Sequence, residues 1–297
     1  MDKKKPKLLL IHNEGTLAEK SNKNLGKYFS LEKFLVKKNI SLDIMIRLIS
    51  EIIQNNELKL LVYISGETRV KKNMIKFNFE LPAQIIEICD RKSIPFVYLS
   101  SLSVYGIPRS NLVYANSKKN PFNEYGRTKL MFDDLISNKF VNLKYCSIAP
   151  GTIINPNSSK NNIIKNGLKH FSNKPLIWFL KIICPAGNYS CVHIDDLVKC
   201  LVKECIELYN ADKDMVYKQY KNCSSKVKIF DLVSYVLGHR PIFKLNPIPI
   251  KFINIIALFF SKKFRMILLV YLADIEYINE YDCLKKQPLS KYLDQKF

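Results

Sequence analysis

Acidic residues are the first scarcity of this chain. Its 297 residues include 26 Asp and Glu against 47 Lys and Arg, a formal net charge of +21. Such an excess is usual for partners of nucleic acid or of an acidic membrane surface. The lysines are dispersed from end to end among many Asn and Ile, as A- and T-rich coding DNA produces, and no nucleic-acid recognition module stands out. A dispersed positive field still draws anionic nucleotides. The eight cysteines include no C-x-x-C pair, and no His lies at zinc-finger spacing, so no metal site is expected. Several sit in apolar runs, where a thiol behaves as a small buried hydrophobe. That usage fits a reducing, cytoplasmic compartment. No uninterrupted apolar run reaches the ~20 residues that span a bilayer. Met1 to Pro6 leads straight into a short apolar strand, which is not a signal-peptide pattern. Internal repeats and low-complexity linkers are lacking too. What remains is an ordinary globular composition, 47% hydrophobic and 25% charged, in a chain long enough for one core with a small lobe.

Apolar strand runs alternate with helical stretches. Lys7–Ile11, Leu58–Val62, Pro95–Leu99 and Tyr145–Ile148 read as buried strands. Asp43–Ile53 reads as an amphipathic helix on Ile44, Leu48 and Ile52, with Met45 and Ile49 beside them. Asn78 opens a predicted helix over Phe79–Asp90, as an ordinary N-cap or in a functional role, with Pro82 early enough to be tolerated. A further helix runs past Lys129, with Met131, Phe132, Leu135 and Ile136 as its core stripe. This alternation argues an α/β fold with a parallel sheet.

The chain is organised around Val97–Lys129. An apolar strand runs into the hydroxyl-rich turn Ser100-Ser101-Leu102-Ser103-Val104-Tyr105-Gly106, and Tyr125-Gly126-Arg127-Thr128-Lys129 opens a helix. Residues four apart share a helix face, so Tyr125 and Lys129 point to one place. A phenol ordinarily titrates near 10. A neighbouring ammonium is expected to lower that value toward the range where proton transfer is efficient.

Tyr-x-x-x-Lys alone is common, and its company makes it specific. Ser-Ser-x-x-Val-Tyr-Gly precedes it, Pro150-Gly151 follows, and Ser190-Cys191-Val192-His193-Ile194-Asp195-Asp196-Leu197 comes later. Together these motifs resemble the extended short-chain dehydrogenase/reductase family, the NAD-dependent epimerases and dehydratases of nucleotide sugars. The likeness covers the chain from Lys7 to about Asp282. It implies a Rossmann-type doubly wound parallel sheet with a smaller C-terminal substrate-binding lobe. The dinucleotide-binding domain would take residues 1–156, completed by about 188–230. The lobe would take 157–187 and 231–297.

The resemblance makes Ser101, Tyr125 and Lys129 the catalytic residues. It assigns NAD or NADP to His12, Gly15, Thr16, Leu17, Asn39, Ile64, Ser65, Gly66, Asn78, Tyr125, Lys129 and Pro150. Along the family's three-glycine turn, His12 replaces the first glycine, Gly15 keeps the second, and Ala18 is a small third. Glu14 adds a carboxylate where phosphates are expected. These departures sustain a second reading, a Rossmann-fold binding protein with a degenerate loop. Asn39-Ile40-Ser41 stands where relatives carry an adenine contact. No acidic residue is placed to grip a ribose diol, so the dinucleotide stays open between NAD and NADP. The short first half is similar to the compact reductases of the family.

The reaction class is narrowed at two positions. Dehydratases place Asp-Glu directly after the catalytic hydroxyl residue, and Leu102 and Ser103 stand there instead. A nucleotide-sugar epimerase or ketoreductase is the expectation, with the enzyme reading ahead of the binding one. Ala149 stands where the family has Arg, the loss of a structural anchor. Asn155-Pro156 opens the lobe, and a basic stretch with Lys160, Lys165, Lys169 and His170 meets either a diphosphate or solvent. His193 and Asp195 are read as structural. Lys221–Lys228 is taken as a late strand before a helix near Asp231. The apolar tail from Pro247 to Ala273, broken by Lys262, Lys263 and Arg265, is a pocket cover or a homodimer contact, with a membrane-surface contact the least favoured reading.

Overall fold

A computed structural model describes residues 4–155, 183–184, 187–212, 215–231, 242–256, 272–281 and 284. The basic stretch from Lys160 to His170, Pro156, and most of the apolar tail lie outside the described residues.

In chain order, strand β1 is Lys7–His12, helix α1 Thr16–Leu25, β2 Ser30–Leu35, α2 Leu42–Asn55 and β3 Leu58–Tyr63. Next come α3 Lys71–Ile75, a π-helical turn over Lys76–Glu80, α4 Leu81–Arg91, and β4 Phe96–Leu99. A 3₁₀ turn over Leu102–Val104 leads to the short β5, Leu112–Val113, followed by α5 Glu124–Lys139, β6 Tyr145–Pro150 and β7 Thr152–Ile154. The rest comprises β8 Ile183–Cys184, β9 Asn188–His193, α6 Ile194–Asn210, β10 Lys218–Cys223 and β11 Ser225–Lys228. The chain ends with β12 Phe243–Lys244, α7 Ile250–Ile256 and β13 Glu276–Tyr277.

A six-stranded sheet has the order β10-β6-β4-β3-β1-β2. β1 pairs in parallel with β2 and β3, β3 with β4, and β4 with β6. Leu8–Ile11, Leu60–Tyr63 and Phe96–Tyr98 are wholly buried, as the central strands of a sheet covered on both faces must be. β2 is one edge, with only Phe34 of its six residues buried and Lys33 exposed, the kind of charged rim that blocks further pairing. Between β1 and β3 the order reverses direction. Open α/β sheets take their ligands at such a point, beyond the carboxyl ends of the strands. One strand and one helix, β2 and α2, account for the shortened passage expected after the first loop.

The chain divides into two compact units, one of Met1–Val104, Asn123–Ala149 and Leu197–Lys221, the other of Tyr105–Phe122, Pro150–Asp196 and Asn222–Phe297. The first holds a core in which Leu9, Ile11, Leu61, Tyr63, Phe96 and Tyr98 pack under α2, α4 and α5. In the second, β11, β9 and β7 form a small sheet, with β9 leading directly into α6. Here His193 accepts from the Asp195 amide at 3.2 Å, a turn that fixes the strand-to-helix corner. Gly151 sits 2.9 Å short of the Ser190 carbonyl if given a Cβ, so only glycine passes there. Residues 229–231 are helical, and the remainder of the expected Asp231 helix lies outside the described residues.

Three helix expectations are corrected. In α2 the buried stripe is Met45, Ile49 and Ile53, whereas Ile44 is 45% exposed. Ser41 caps this helix by accepting from the Ile44 amide, which starts it at Leu42 and fixes which face meets the sheet. In α5, Phe132 and Ile136 are buried but Met131 is exposed. The third correction concerns Asn78. The helix starts at Lys71, so Asn78 and Pro82 are interior residues and Asn78 is no N-cap. A proline has no amide for the carbonyl four residues back, which here is that of Asn78. The chain widens into a π turn in which the Leu81 amide reaches back to the Lys76 carbonyl. This frees the Phe77 and Asn78 carbonyls, and two strand tyrosines take over. Tyr63 donates to Phe77 at 2.7 Å and Tyr98 to Asn78 at 3.0 Å.

Candidate active site

The polar residues of the first unit gather at the carboxyl ends of β1, β3 and β4 and on the first turns of α5. β1 ends regularly at His12, whose Cα pairs with Leu35 and whose carbonyl accepts from Val36 at 2.8 Å. Ser93 is the only described non-glycine residue with positive φ, so a histidine at position 12 costs no backbone strain. The turn is made instead at Gly15, with φ +135°, a conformation that favours glycine. Gly15 stands at the N-terminus of α1, which has no side-chain cap, and the space beside its Cα is open. Thr16 and Leu17 form the first helical turn, and Glu14 is exposed beside them.

Asn13, singled out by nothing in the sequence, ties this loop to the next. Its amide donates to the Gly66 carbonyl at 2.6 Å, and its oxygen accepts from Ser65 at 2.5 Å. Ile64 continues β3 by donating to Ile11 at 2.9 Å. Gly66 passes between two side chains, since an added Cβ would lie 3.1 Å from the Asn78 oxygen and 3.5 Å from the Lys129 Nζ.

Asn78 is wholly buried and holds three groups. Its oxygen accepts from the Glu67 amide at 2.9 Å, while its Nδ2 donates to the Glu67 carbonyl at 2.9 Å and to Thr128 at 3.1 Å. Thr128 in turn donates to the Tyr125 carbonyl at 3.0 Å. The loop after β3 is thereby fastened to the helix carrying Tyr125 and Lys129. Burial alone would raise the Glu67 carboxyl; hydrogen bonds from Lys38 and the Arg69 and Thr68 amides outweigh it and hold the group below its usual range. Lys38 reaches Glu67 from the residues after β2 as an ion pair. Asn39 is exposed in the turn behind it, and Ile40 there donates back to Lys37 at 3.2 Å.

Ser101 follows β4, and Tyr125 and Lys129 stand on the first two turns of α5. The Ser101 hydroxyl donates to the Ser103 hydroxyl and accepts from the Ser103 amide, both at 3.1 Å, and it lies near enough to the Tyr125 phenol to act on its titration. Leu102 is turned into the core, so no carboxylate follows Ser101. Asn123 caps α5 by accepting from Gly126 at 2.8 Å, which sets Tyr125 on the first turn. Lys129 is 2% exposed. Its ammonium donates to the Leu99 carbonyl at 2.7 Å and lies 4.4 Å from the centre of the Tyr98 ring. Burial lowers its pKa from 10.5 to about 7 against the pull of Asp133. Burial likewise raises the Tyr125 phenol, and the neighbouring Ser101 hydroxyl works against that rise. The sequence led us to expect a lysine that lowers the tyrosine. The physical reason for the difference is that Lys129 is itself desolvated and engaged with Leu99 and Tyr98. Pro150 closes β6. Among the described residues no three His, Cys, Asp or Glu side chains cluster as a metal site, and no helix is long and apolar enough to cross a membrane.

A parallel sheet with a reversal point and glycine-lined strand ends defines a doubly wound, Rossmann-type class. The chain matches the NAD dependent epimerase/dehydratase family over residues 20–217 and belongs to it. Solved structures with a similar fold include the dTDP-4-dehydrorhamnose reductase of Yersinia enterocolitica, 18% identical, with a TM-score of 0.62 over 97% of this chain and 96% of that one. UDP-glucose 4-epimerase from Brucella ovis in complex with NAD is 14% identical, with a TM-score of 0.61 over 81% of this chain and 85% of that one. The dTDP-4-dehydrorhamnose reductase of Bacillus anthracis str. Ames in complex with NADP is 15% identical, with a TM-score of 0.60 over 81% and 83%.

Proposed function

We propose that the chain is an NAD(P)-dependent enzyme of nucleotide-activated sugars, a ketoreductase or an epimerase rather than a dehydratase. The observation that carries this reading is the placement of a serine hydroxyl just after β4 and of a phenol and a buried lysine on the first turns of α5, the lysine donating to the Leu99 carbonyl at the end of β4. Tyr125 exchanges a proton with the substrate oxygen, Ser101 holds that oxygen, and Lys129 supplies positive charge beneath them. The nicotinamide, when bound, gives or takes the hydride.

The residues present fit such a cofactor. Gly15 leaves open the uncapped N-terminus of α1, a favourable place for a pyrophosphate. His12, Thr16 and Leu17 flank it, Ile64, Ser65 and Gly66 line the neighbouring strand end, and Asn39 and Pro150 complete the assigned set. After β2 the chain reads Val36-Lys37-Lys38, with no carboxylate in that segment to grip a ribose diol; Lys38 is paired with Glu67, and the exposed Lys37 ammonium is suited to a 2′-phosphate. NADPH is therefore the favoured dinucleotide, which puts the ketoreductase ahead of the epimerase. Residues 157–187 and 231–297 supply the sugar-binding lobe in this reading.

One observation favours a second reading, a weak dinucleotide binder with a retained fold: Glu14 is an exposed carboxylate beside the N-terminus where phosphates would sit. Incubating the purified chain with nucleotide-linked 4-ketosugars and nucleotide hexoses separates the cases. A reductase consumes NAD(P)H in proportion to product, an epimerase converts sugar with trace cofactor, and conversion of none contradicts the enzyme reading.

A further inference from the structure

A buried carboxylate behind the lysine belongs to none of the assignments above. Asp133 lies one turn beyond Lys129 and two beyond Tyr125 on α5, and is 4% exposed. Each of its oxygens accepts from a serine hydroxyl on a different strand segment. Ser100, the residue before Ser101, donates at 2.5 Å, and Ser147 of β6 donates at 2.7 Å. Ser100 is tied to the same strand by its own amide, which donates to the Ile148 carbonyl at 2.7 Å. We propose that Asp133 is a positioning residue for the serine–tyrosine–lysine cluster, clamping the end of β4 and the middle of β6 to the helix that carries Tyr125 and Lys129, and favouring the ammonium form of Lys129 over the neutral amine.

A carboxylic acid in this place would lose one acceptor oxygen to its own proton, whereas two donated hydroxyl bonds satisfy a carboxylate. Its negative charge opposes the desolvation of Lys129. The Tyr98 ring of β4, on which Tyr63 of β3 is stacked, faces the ammonium, and Tyr125 of the same helix as Lys129 lies close enough to act on Tyr98. Neither phenol is ionised at neutral pH, since burial raises Tyr98 and Tyr125 alike. Asp133 also raises the Tyr98 and Tyr145 phenols, so its charge reaches two strands, β4 and β6. The spacing of positions 125, 129 and 133 joins this carboxylate to the cluster, since successive residues four apart stack along one side of a helix.

This inference rests on the proposed roles of Tyr125 and Lys129, but its test needs neither cofactor nor sugar. The Lys129 side chain is followed by carbon NMR in the lysine-labelled chain as pH is raised, with Lys129→Met used to assign the signal. Asp133→Asn keeps the shape and removes the charge. The Lys129 midpoint then falls by about one unit or more, the usual effect of losing an opposite charge nearby. Asp133→Glu, which returns the charge, brings it back up. A folded Asp133→Asn chain with an unshifted midpoint overturns the proposal. Should that variant not fold, the carboxyl carbon of Asp133 in the native chain decides. A carboxylate signal at pH 7 upholds the clamp, and a protonated one overturns it. Failure of the dinucleotide reading shows separately, as absence of NADH and NADPH binding by the native chain.

Discussion

At Lys129 two opposed forces meet, the cost of burying an ammonium and the attraction of the carboxylate one turn behind it. The balance leaves the pKa at about 7, against 10.5 for a free lysine. Between those values the unfolded chain binds a proton that the folded chain does not, so stability attributable to this site rises with pH from 7 toward 10.5. The native chain should therefore gain on the order of 2 kcal/mol from this residue between pH 7 and pH 9. Lys129→Met lacks that gain, and the difference in urea midpoints of the two chains at the two pH values measures it. Tyr125→Phe removes only the phenol oxygen, which lies near Ser101. The fold should survive by circular dichroism while kcat drops by about 10²–10⁴. These residues were legible because four-residue spacing on a helix is a strong geometric statement. The same spacing extended one step marks Asp133, a signal the pattern contained. Asn13 had no such signal, because its role lies in a loop-to-loop contact with Ser65 and Gly66 that spans about fifty positions of sequence.

The helix through Lys71–Arg91 shows how one residue reshapes an element. Pro82 removes the amide that the Asn78 carbonyl needs, the π turn absorbs the mismatch, and the Tyr63 and Tyr98 phenols satisfy the two exposed carbonyls. Tyr98→Phe leaves a buried acceptor unpaired and should cost about 1–3 kcal/mol in urea unfolding. Pro82→Ala restores an amide at the right place, so the double variant should lose less than the sum of the two single changes. Additive losses would contradict this account of the turn. Sequence periodicity suggested a helix starting at Asn78, with a tolerated early proline. It could not foresee that a proline eleven residues into a helix would be accommodated by strand side chains. The α2 face was misjudged by one residue for a similar reason. Leu42–Asn55 has apolar residues on more than one side, and only the Ser41 cap and the sheet beneath decide which are covered. Gly15→Ala should cost about 1–3 kcal/mol, since its φ of +135° is strained for any residue with a Cβ.

For the molecule as a whole, central strands were legible because burial on both faces leaves unbroken apolar runs. Edge strand β2 was not, because Ser30–Leu35 alternates polar and apolar residues in a half-exposed position. Its placement brings Lys37 and Lys38 to the carboxyl edge of the sheet. Together with a net charge of +21, this predicts that apparent affinity for anionic ligands weakens as salt rises from low to physiological strength. The central claim is that this sheet still holds a dinucleotide despite His12 and Glu14. Equilibrium titration of the native chain with NADPH and NADH, followed by nucleotide fluorescence, tests it most directly. The account predicts saturable binding with NADPH the tighter of the two, weakened by Gly15→Ala. Binding of neither dinucleotide, at concentrations where the chain is folded and monodisperse, would contradict it.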